Sequence, residues 1–246
     1  MARKMKNKSE GKTLGEEIGS ISSKVPSNVK YITAWVVGLV LLFIILNYAF
    51  PLIYKALGVG TINYQGLAFT KESIGTGKPI IIYHYYYLYR DSMGELVQNN
   101  IYLRNDPRTN TVPVTAPIEF FHGLPVYVGV DADSLSKCNQ SSIAISELAA
   151  FVKNAGFNVH GGTINATEAE SQNVTYVSCN NQTNSTVIQF VMGNMTGITR
   201  TSQICYKIST ASCSDVLSAS EKFIVQSIID AKNADSKAGY QLLSNQ

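Results

Sequence analysis

One constellation of residues has the types that chemistry needs. Asp131 and Asp133 stand two apart in "VDAD", and His160 and Thr163 sit in "HGGT" after the next apolar run. Two carboxylates in a D-x-D arrangement can hold a divalent cation, and a nearby imidazole can act as a base or orient a water. Such a site would make the chain a small metal-dependent hydrolase or transferase, with Asp131 and Asp133 as metal ligands and His160 as the catalytic residue. The same residue types also form ordinary turns after strands, where Asp caps and Gly bends. The turn reading is preferred here, so no catalytic residue, no metal and no cofactor are expected.

Other catalytic signatures are missing from the sequence. Lys78 follows Gly75 and Gly77, but the spacing fails the phosphate-loop pattern and Pro79 stands where that loop needs Ser or Thr. No G-x-S-x-G or H-E-x-x-H occurs. His84, His122 and His160 are scattered and no C-x-x-C is present, so a zinc site is not expected.

A second feature bears on binding. The stretch "KPIIIYHYYYLYRD" packs five tyrosines and a histidine into residues 83–89. On a strand, Tyr83, Tyr85, Tyr87 and Tyr89 share one face, while His84, Tyr86 and Leu88 share the other. Tyrosine carries a large apolar ring with a hydrogen-bonding tip, which suits interfaces and sugar stacking. Tyr83, Tyr85, Tyr87 and Tyr89 are therefore the candidate partner-binding residues. The competing reading packs them against Ile101 and Leu103 across a hairpin and onto the rest of the domain.

These residues need elements to position them. "LPVYVGVDAD", "SSIAISELAAFVKNAG" and "FNVHGGTI" read as strand, helix and strand, a β-α-β unit whose parallel strands would bring Asp131 and His160 to one carboxyl edge. In the helix, Ile145, Leu148, Ala149 and Val152 recur at helical spacing, and Gly156 can end it in the left-handed conformation. The Tyr run calls for a hairpin of residues 80–90 and 96–104 around "DSMGE". One short strand is expected within 62–69, another in "VTYVS", and further strands in "STVIQFVMGN" and "SQICYKIS". A final helix, "SASEKFIVQSIIDAKNA", would open with a capping box from Ser218 to Glu221 and pack through Phe223, Ile224, Ile228 and Ala231.

The segment "YITAWVVGLVLLFIILNYAFPLIY" carries no charge and exceeds the length of a buried soluble helix or a signal-peptide core. Trp35, Tyr31, Tyr48 and Tyr54 lie toward its ends, as interfacial rings do. Seven Lys and Arg residues precede it within the first 30 positions, against three Glu. Positive charge stays on the cytoplasmic side, which sets the N-terminus inside and the rest outside. The net charge of +3 is too small and dispersed for a nucleic-acid surface.

Everything beyond the span fits an oxidising compartment. Cys138, Cys179, Cys205 and Cys213 read as two disulfides, with Cys205–Cys213 and Cys138–Cys179 favoured among the three pairings. N-x-S/T triplets begin at Asn139, Asn165, Asn173, Asn181, Asn184 and Asn194, and some of them are expected to carry glycans. No such triplet lies between the span and Cys138, which would leave the hairpin bare.

The expected architecture is α/β or α+β: an N-terminal transmembrane helix, an extracytoplasmic β-hairpin region and a small mixed-sheet domain with about two helices. By residue, 1–30 is a cytoplasmic basic tail, 31–55 the signal-anchor helix, 56–123 linker and hairpin, 124–234 the α/β domain and 235–246 a flexible tail. The expected function is a non-catalytic binding or accessory-subunit role for a single-pass cell-membrane glycoprotein, with an envelope or membrane-complex protein as partner.

Overall fold

The structure is a computed structural model that describes residues 27–56, 60–90, 95–121, 123–181 and 184–238. The basic leader up to residue 26, His122 and residues 239–246 lie outside the described residues. The chain divides into two units, one ending at Ile53 and one beginning at Tyr54.

Helix α1, Ser27–Ala56, supplies the described part of the first unit as far as Ile53. Its segment Tyr31–Phe50 has a mean hydropathy of 2.3 and no buried residue, so it is long and apolar enough to cross a membrane. Asn47, a polar side chain within that segment, turns its amide to the Phe43 carbonyl at 2.8 Å. An intrahelical partner of this kind is what a polar donor needs where water is absent.

The second unit contains two sheets. Sheet A is an antiparallel meander of β1 (Gly60–Tyr64), β2 (Leu67–Ile74), β3 (Ile80–Arg90) and β4 (Leu96–Leu103), in that spatial order. The single strand expected within 62–69 is in fact a hairpin. Gln65 and Gly66 take φ of +48° and +80°, the mirror-image turn whose twist suits two-residue hairpins, so the chain reverses there. The Tyr-rich hairpin β3–β4 follows in the register Tyr83↔Leu103 to Arg90↔Leu96.

Sheet B is mixed. It is built from β5 (Val126–Val130), the short α2 (Ala132–Leu135), α3 (Ser141–Asn154), β6 (Val159–Thr163), α4 (Ala166–Gln172), β7 (Thr186–Met192), β8 (Gly197–Ser202), β9 (Cys205–Thr210) and α5 (Asp215–Ala238). The strand order is β6-β5-β7-β9-β8, with β5 parallel to β6 and β7, β7 parallel to β9, and β8 antiparallel at the edge. The β-α-β unit is present as expected. "VTYVS" forms only an isolated bridge, Thr163↔Tyr176, whereas α4 and β8 were not anticipated.

Helix α5 ties the two sheets together. It starts at Asp215, so Ser218 is inside the helix and no capping box forms; Glu221 instead reaches across to the chain after β4. Its burial is nearly all-round rather than on one face: Val216, Leu217, Phe223, Ile224, Val225 and Ile229 are buried, and Ala231 is exposed. The reason is that α5 packs on α3 and β9 while also meeting sheet A. Lys222 Nζ donates to the Tyr64 hydroxyl at 3.0 Å, and Lys232 Nζ to the Gly66 carbonyl at 2.8 Å. One continuous core therefore joins Leu67, Phe69, Tyr83 and Leu103 of sheet A to Val126, Ile188, Tyr206 and Ile208 of sheet B through Phe223 and its neighbours.

All four cysteines are bonded, but as Cys138–Cys213 and Cys179–Cys205. The favoured Cys205–Cys213 loop fails because β9 runs between the two residues. A six-residue strand spans roughly 17–20 Å, while disulfide Cα atoms must come within about 7 Å. The observed bridges join the entrance of α3 to the entrance of α5, and the polar loop after α4 to the start of β9. Closing loops of 75 and 26 residues, they restrict the unfolded chain by about 3–5 kcal/mol each in the chain-entropy account.

Candidate functional site

The Asp131–His160 edge does not assemble. Asp131 Oδ1 accepts the Ser134 N–H at 3.3 Å and caps α2, the turn role its sequence position favours. Asp133 is exposed within α2. His160 is not beyond the strand but inside it, because β6 begins at Val159 and runs through "HGGT". It pairs in register with Tyr127, four residues before Asp131, which is about 13 Å along the strand. The imidazole stacks on the Tyr127 ring at 5.0 Å. Thr163 Oγ1 donates to Glu168 Oε2 at 2.5 Å and so holds α4 rather than a ligand. No group of three or more His, Cys, Asp or Glu residues with metal-binding geometry occurs among the described residues. Gly162 answers to packing: a Cβ there would lie 2.3 Å from the Thr175 carbonyl oxygen, because the loop after α4 lies flat on sheet B.

The Tyr run is divided between two environments. Tyr83 is buried at 9% exposure, and Tyr85 and Tyr87 are half-buried against the core. Tyr85 lies opposite Ile101 and its ring meets Phe69 at 5.4 Å; Tyr83 lies opposite Leu103. Burial pushes the Tyr83 and Tyr85 hydroxyls above the usual phenol range. Tyr87 accepts a 2.7 Å hydrogen bond from the buried Asn99 amide. Tyr89 shares this face by register, opposite Val97, with its side chain outside the described set. The face offered by sequence for partner binding is thus the inner face of sheet A, covered by α5 and its surroundings.

The opposite face is open. Across the sheet, Thr61, Thr70, His84 and Tyr102 form one row, and Tyr86 with Asn100 begins the next. Tyr86 is 42% exposed and Tyr102 50%. His84 holds this surface together. Its Nδ1 faces Glu72 Oε1 at 3.0 Å, its Nε2 faces Asn100 Oδ1 at 3.1 Å, and Gln98 Nε2 donates to the same Oδ1 at 2.7 Å. The Tyr102 ring stacks on the imidazole at 4.5 Å and 17°. One polar chain thereby crosses β2, β3 and β4 at the surface. Ile74, Ile80 and Leu96 lie on this face at the ends of the strands, each at least half exposed. The alternation that singled out this stretch also contained the outer face, but five tyrosines within seven residues hid which parity turned inward.

A buried carboxylate went unnoticed in the sequence. Glu221 is 2% exposed and accepts hydrogen bonds from the Arg104 and Asn105 backbone N–H groups and from Asn105 Nδ2 at 2.8 Å. Burial, reinforced by the neighbouring Glu147, pushes its pKa up to about 7 against the pull of those donors. Glu147 is also raised by burial, which Arg104 at 3.6 Å opposes. This cluster fastens the end of β4 to α5. It is an internal clasp, closed to solvent at Glu221.

Two further features complete the surface. Asn139, Asn165, Asn173, Asn181, Asn184 and Asn194 are all exposed. Asn165 also caps α4, accepting from Thr167 and Glu168 N–H, and Asn173 ends that helix at φ +52°. An open cleft of about 580 Å³ lies beside β8, rimmed by Pro113, Asn194, Met195, Thr199, Lys207 and Ser209. It contains one cation and several hydroxyls, without an acid–base pair.

Comparison with protein-family models, with curated proteins and with solved structures finds no match to this chain.

Proposed function

We propose that the chain is a single-pass, membrane-anchored glycoprotein whose extracytoplasmic domain has a non-catalytic binding role, as an accessory subunit in the cell envelope or secretory pathway. The observation that carries the proposal is the open outer face of sheet A, where Tyr86 and Tyr102 stand exposed over the ordered Glu72–His84–Asn100–Gln98 chain. Exposed aromatic side chains concentrated on one sheet face are an expected mark of an interaction surface. Other features support the placement. Helix α1 is apolar enough to anchor the chain, two disulfides suit an oxidising compartment, and the basic leader precedes the span. The exposed sequons, all on the sheet B side of the sequence, leave sheet A free for a partner.

The test is purification of the tagged full-length protein from its own membranes in mild detergent, with native mass and identification of what stays bound. A stoichiometric component that is lost from the Tyr86→Ser, Tyr102→Ser variant supports the reading. If the parent carries nothing, or the variant retains every component at full yield in an intact fold, this surface has no docking role.

A further inference from the structure

Starting from the proposed docking role of this surface, we infer that the outer face of sheet A binds a neutral glycan, with sugar rings stacked on Tyr102 and Tyr86 and hydroxyls read by Glu72, Asn100 and Gln98. Three observations converge on that occupant.

The first is the support beneath Tyr102. An exposed tyrosine normally samples several rotamers, and a ligand that stacks on it must freeze that motion at a cost in affinity. Here the ring already lies parallel to His84 at 4.5 Å, and both nitrogens of His84 are engaged by side chains on the neighbouring strands. Only His84 in this array is largely covered, and hydrogen bonds and ion pairs made at a surface add little to stability. What it gains is a fixed aromatic platform. The apolar faces of pyranose rings pack on such platforms through their C–H groups.

The second is the set of hydrogen-bonding groups left over. After their internal bonds, the second carboxylate oxygen of Glu72, the other amide atoms of Asn100 and Gln98, and the hydroxyls of Tyr86 and Tyr102 have no protein partner among the described residues. Amides and phenols can both donate and accept. Sugar hydroxyls do the same at successive carbons, so a row mixing donors with acceptors matches them. Short side chains at Thr61 and Thr70 in the row of Tyr102 leave a low shelf beside the taller rings.

The third is charge. The row Thr61–Thr70–His84–Tyr102 and the adjoining Tyr86–Asn100 pair contain no Lys or Arg. The one carboxylate reaching them, Glu72, is paired with His84. A polyanion would find no Lys or Arg within these two rows, since the same-parity Arg90 lies opposite Leu96 at the far end of the hairpin, and a basic peptide would meet an acid that is already engaged. A neutral polyol demands neither. Of the aliphatic residues on this parity, Ile82 and Leu88 sit opposite Glu72 and Gln98 but are only partly exposed, and the more exposed Ile74, Ile80 and Leu96 lie at the ends of the strands.

The experiment is affinity electrophoresis of the full-length protein in a detergent without a sugar headgroup. The gels contain dextran, mannan, galactan or the neutral polysaccharide fraction of the source envelope, with heparin as the charged control. At least one neutral polysaccharide is expected to retard the parent, and heparin is not. Tyr102→Ala and the double change Gln98→Ala with Asn100→Ala should each weaken retardation at least tenfold, while Tyr102→Phe keeps most of it and Ile80→Ser with Leu96→Ser leaves it unchanged. Thermal melting of every variant checks the fold. Retardation by heparin alone, or by no polysaccharide at all, overturns the inference. If in that case the Ile80→Ser, Leu96→Ser variant loses a copurifying protein, the docking proposal stands with a different occupant; if no protein copurifies either, both fail together.

Discussion

The two faces of sheet A are made from the same strands and nearly the same residues, yet they meet opposite surroundings. The inner face places Tyr83, Tyr85, Phe69 and Leu103 against the core, where their area is removed from water and where α5 fastens them. The outer face places Tyr86 and Tyr102 in solvent around a partly buried His84, ordered by surface hydrogen bonds. A tyrosine therefore carries no role by itself. Its parity on the strand, and whether a helix lies over that parity, decides whether it joins the core or stays at the surface.

Mutations can break or sharpen this contrast, and the largest effect belongs to the inner face. Phe69→Ala removes a fully buried ring and should cost about 3–5 kcal/mol, read as a lower melting temperature of the detergent-solubilised protein. A loss below about 1 kcal/mol would mean that the inner face is not core.

The clasp at Glu221 should appear as a pH dependence. Its folded-state pKa of about 7 is raised above the ordinary value of 4.5, so the folded protein holds this proton where the unfolded chain releases it. The stabilisation is complete below pH 4.5, declines as pH rises, and is gone above about 7. The span corresponds to a contribution on the order of 3 kcal/mol. Melting temperatures of the parent should fall over this window, and Glu221→Gln should flatten that part of the profile. An equal slope in both proteins would assign the effect elsewhere.

Tyr85→Ser, on a half-buried residue, should cost about 1–3 kcal/mol while leaving any bound component in place. Tyr86→Ser with Tyr102→Ser should change stability by no more than about 0.5 kcal/mol while reducing binding. The sharpest single result would be a reversal of this pair, because it would exchange the roles of the two faces.

Much of the architecture was legible in local pattern. The long apolar helix, the β-α-β unit and the Tyr hairpin follow from apolar length, from helical and strand periods, and from turn residues. What escaped depended on contacts distant in sequence. The β1–β2 turn was hidden because Gln65 gives no turn signal beside Gly66. The disulfide pairing required knowing that β9 would hold Cys205 and Cys213 apart. His160 was misplaced because two glycines looked like the end of a strand, whereas Gly162 is small to admit the loop at Thr175. Glu221 had every mark of a local cap, and only the neighbouring strand end, 117 residues earlier, reveals its use.

That last separation has a consequence for how the protein is made. Sheet A is synthesised long before the helix that covers it. At about 5–20 residues per second, the 117 residues between Arg104 and Glu221 take roughly 6–23 s to appear. A β-hairpin forms in about 1–10 μs, so the tyrosine-rich strands pair early and then wait with their inner rings uncovered. The second unit thus completes itself from its carboxyl end, and a chain interrupted before residue 215 would leave the inner faces of both sheets without α5. Such an intermediate needs shelter until α5 arrives, and its most aggregation-prone surface is the one the finished protein never shows.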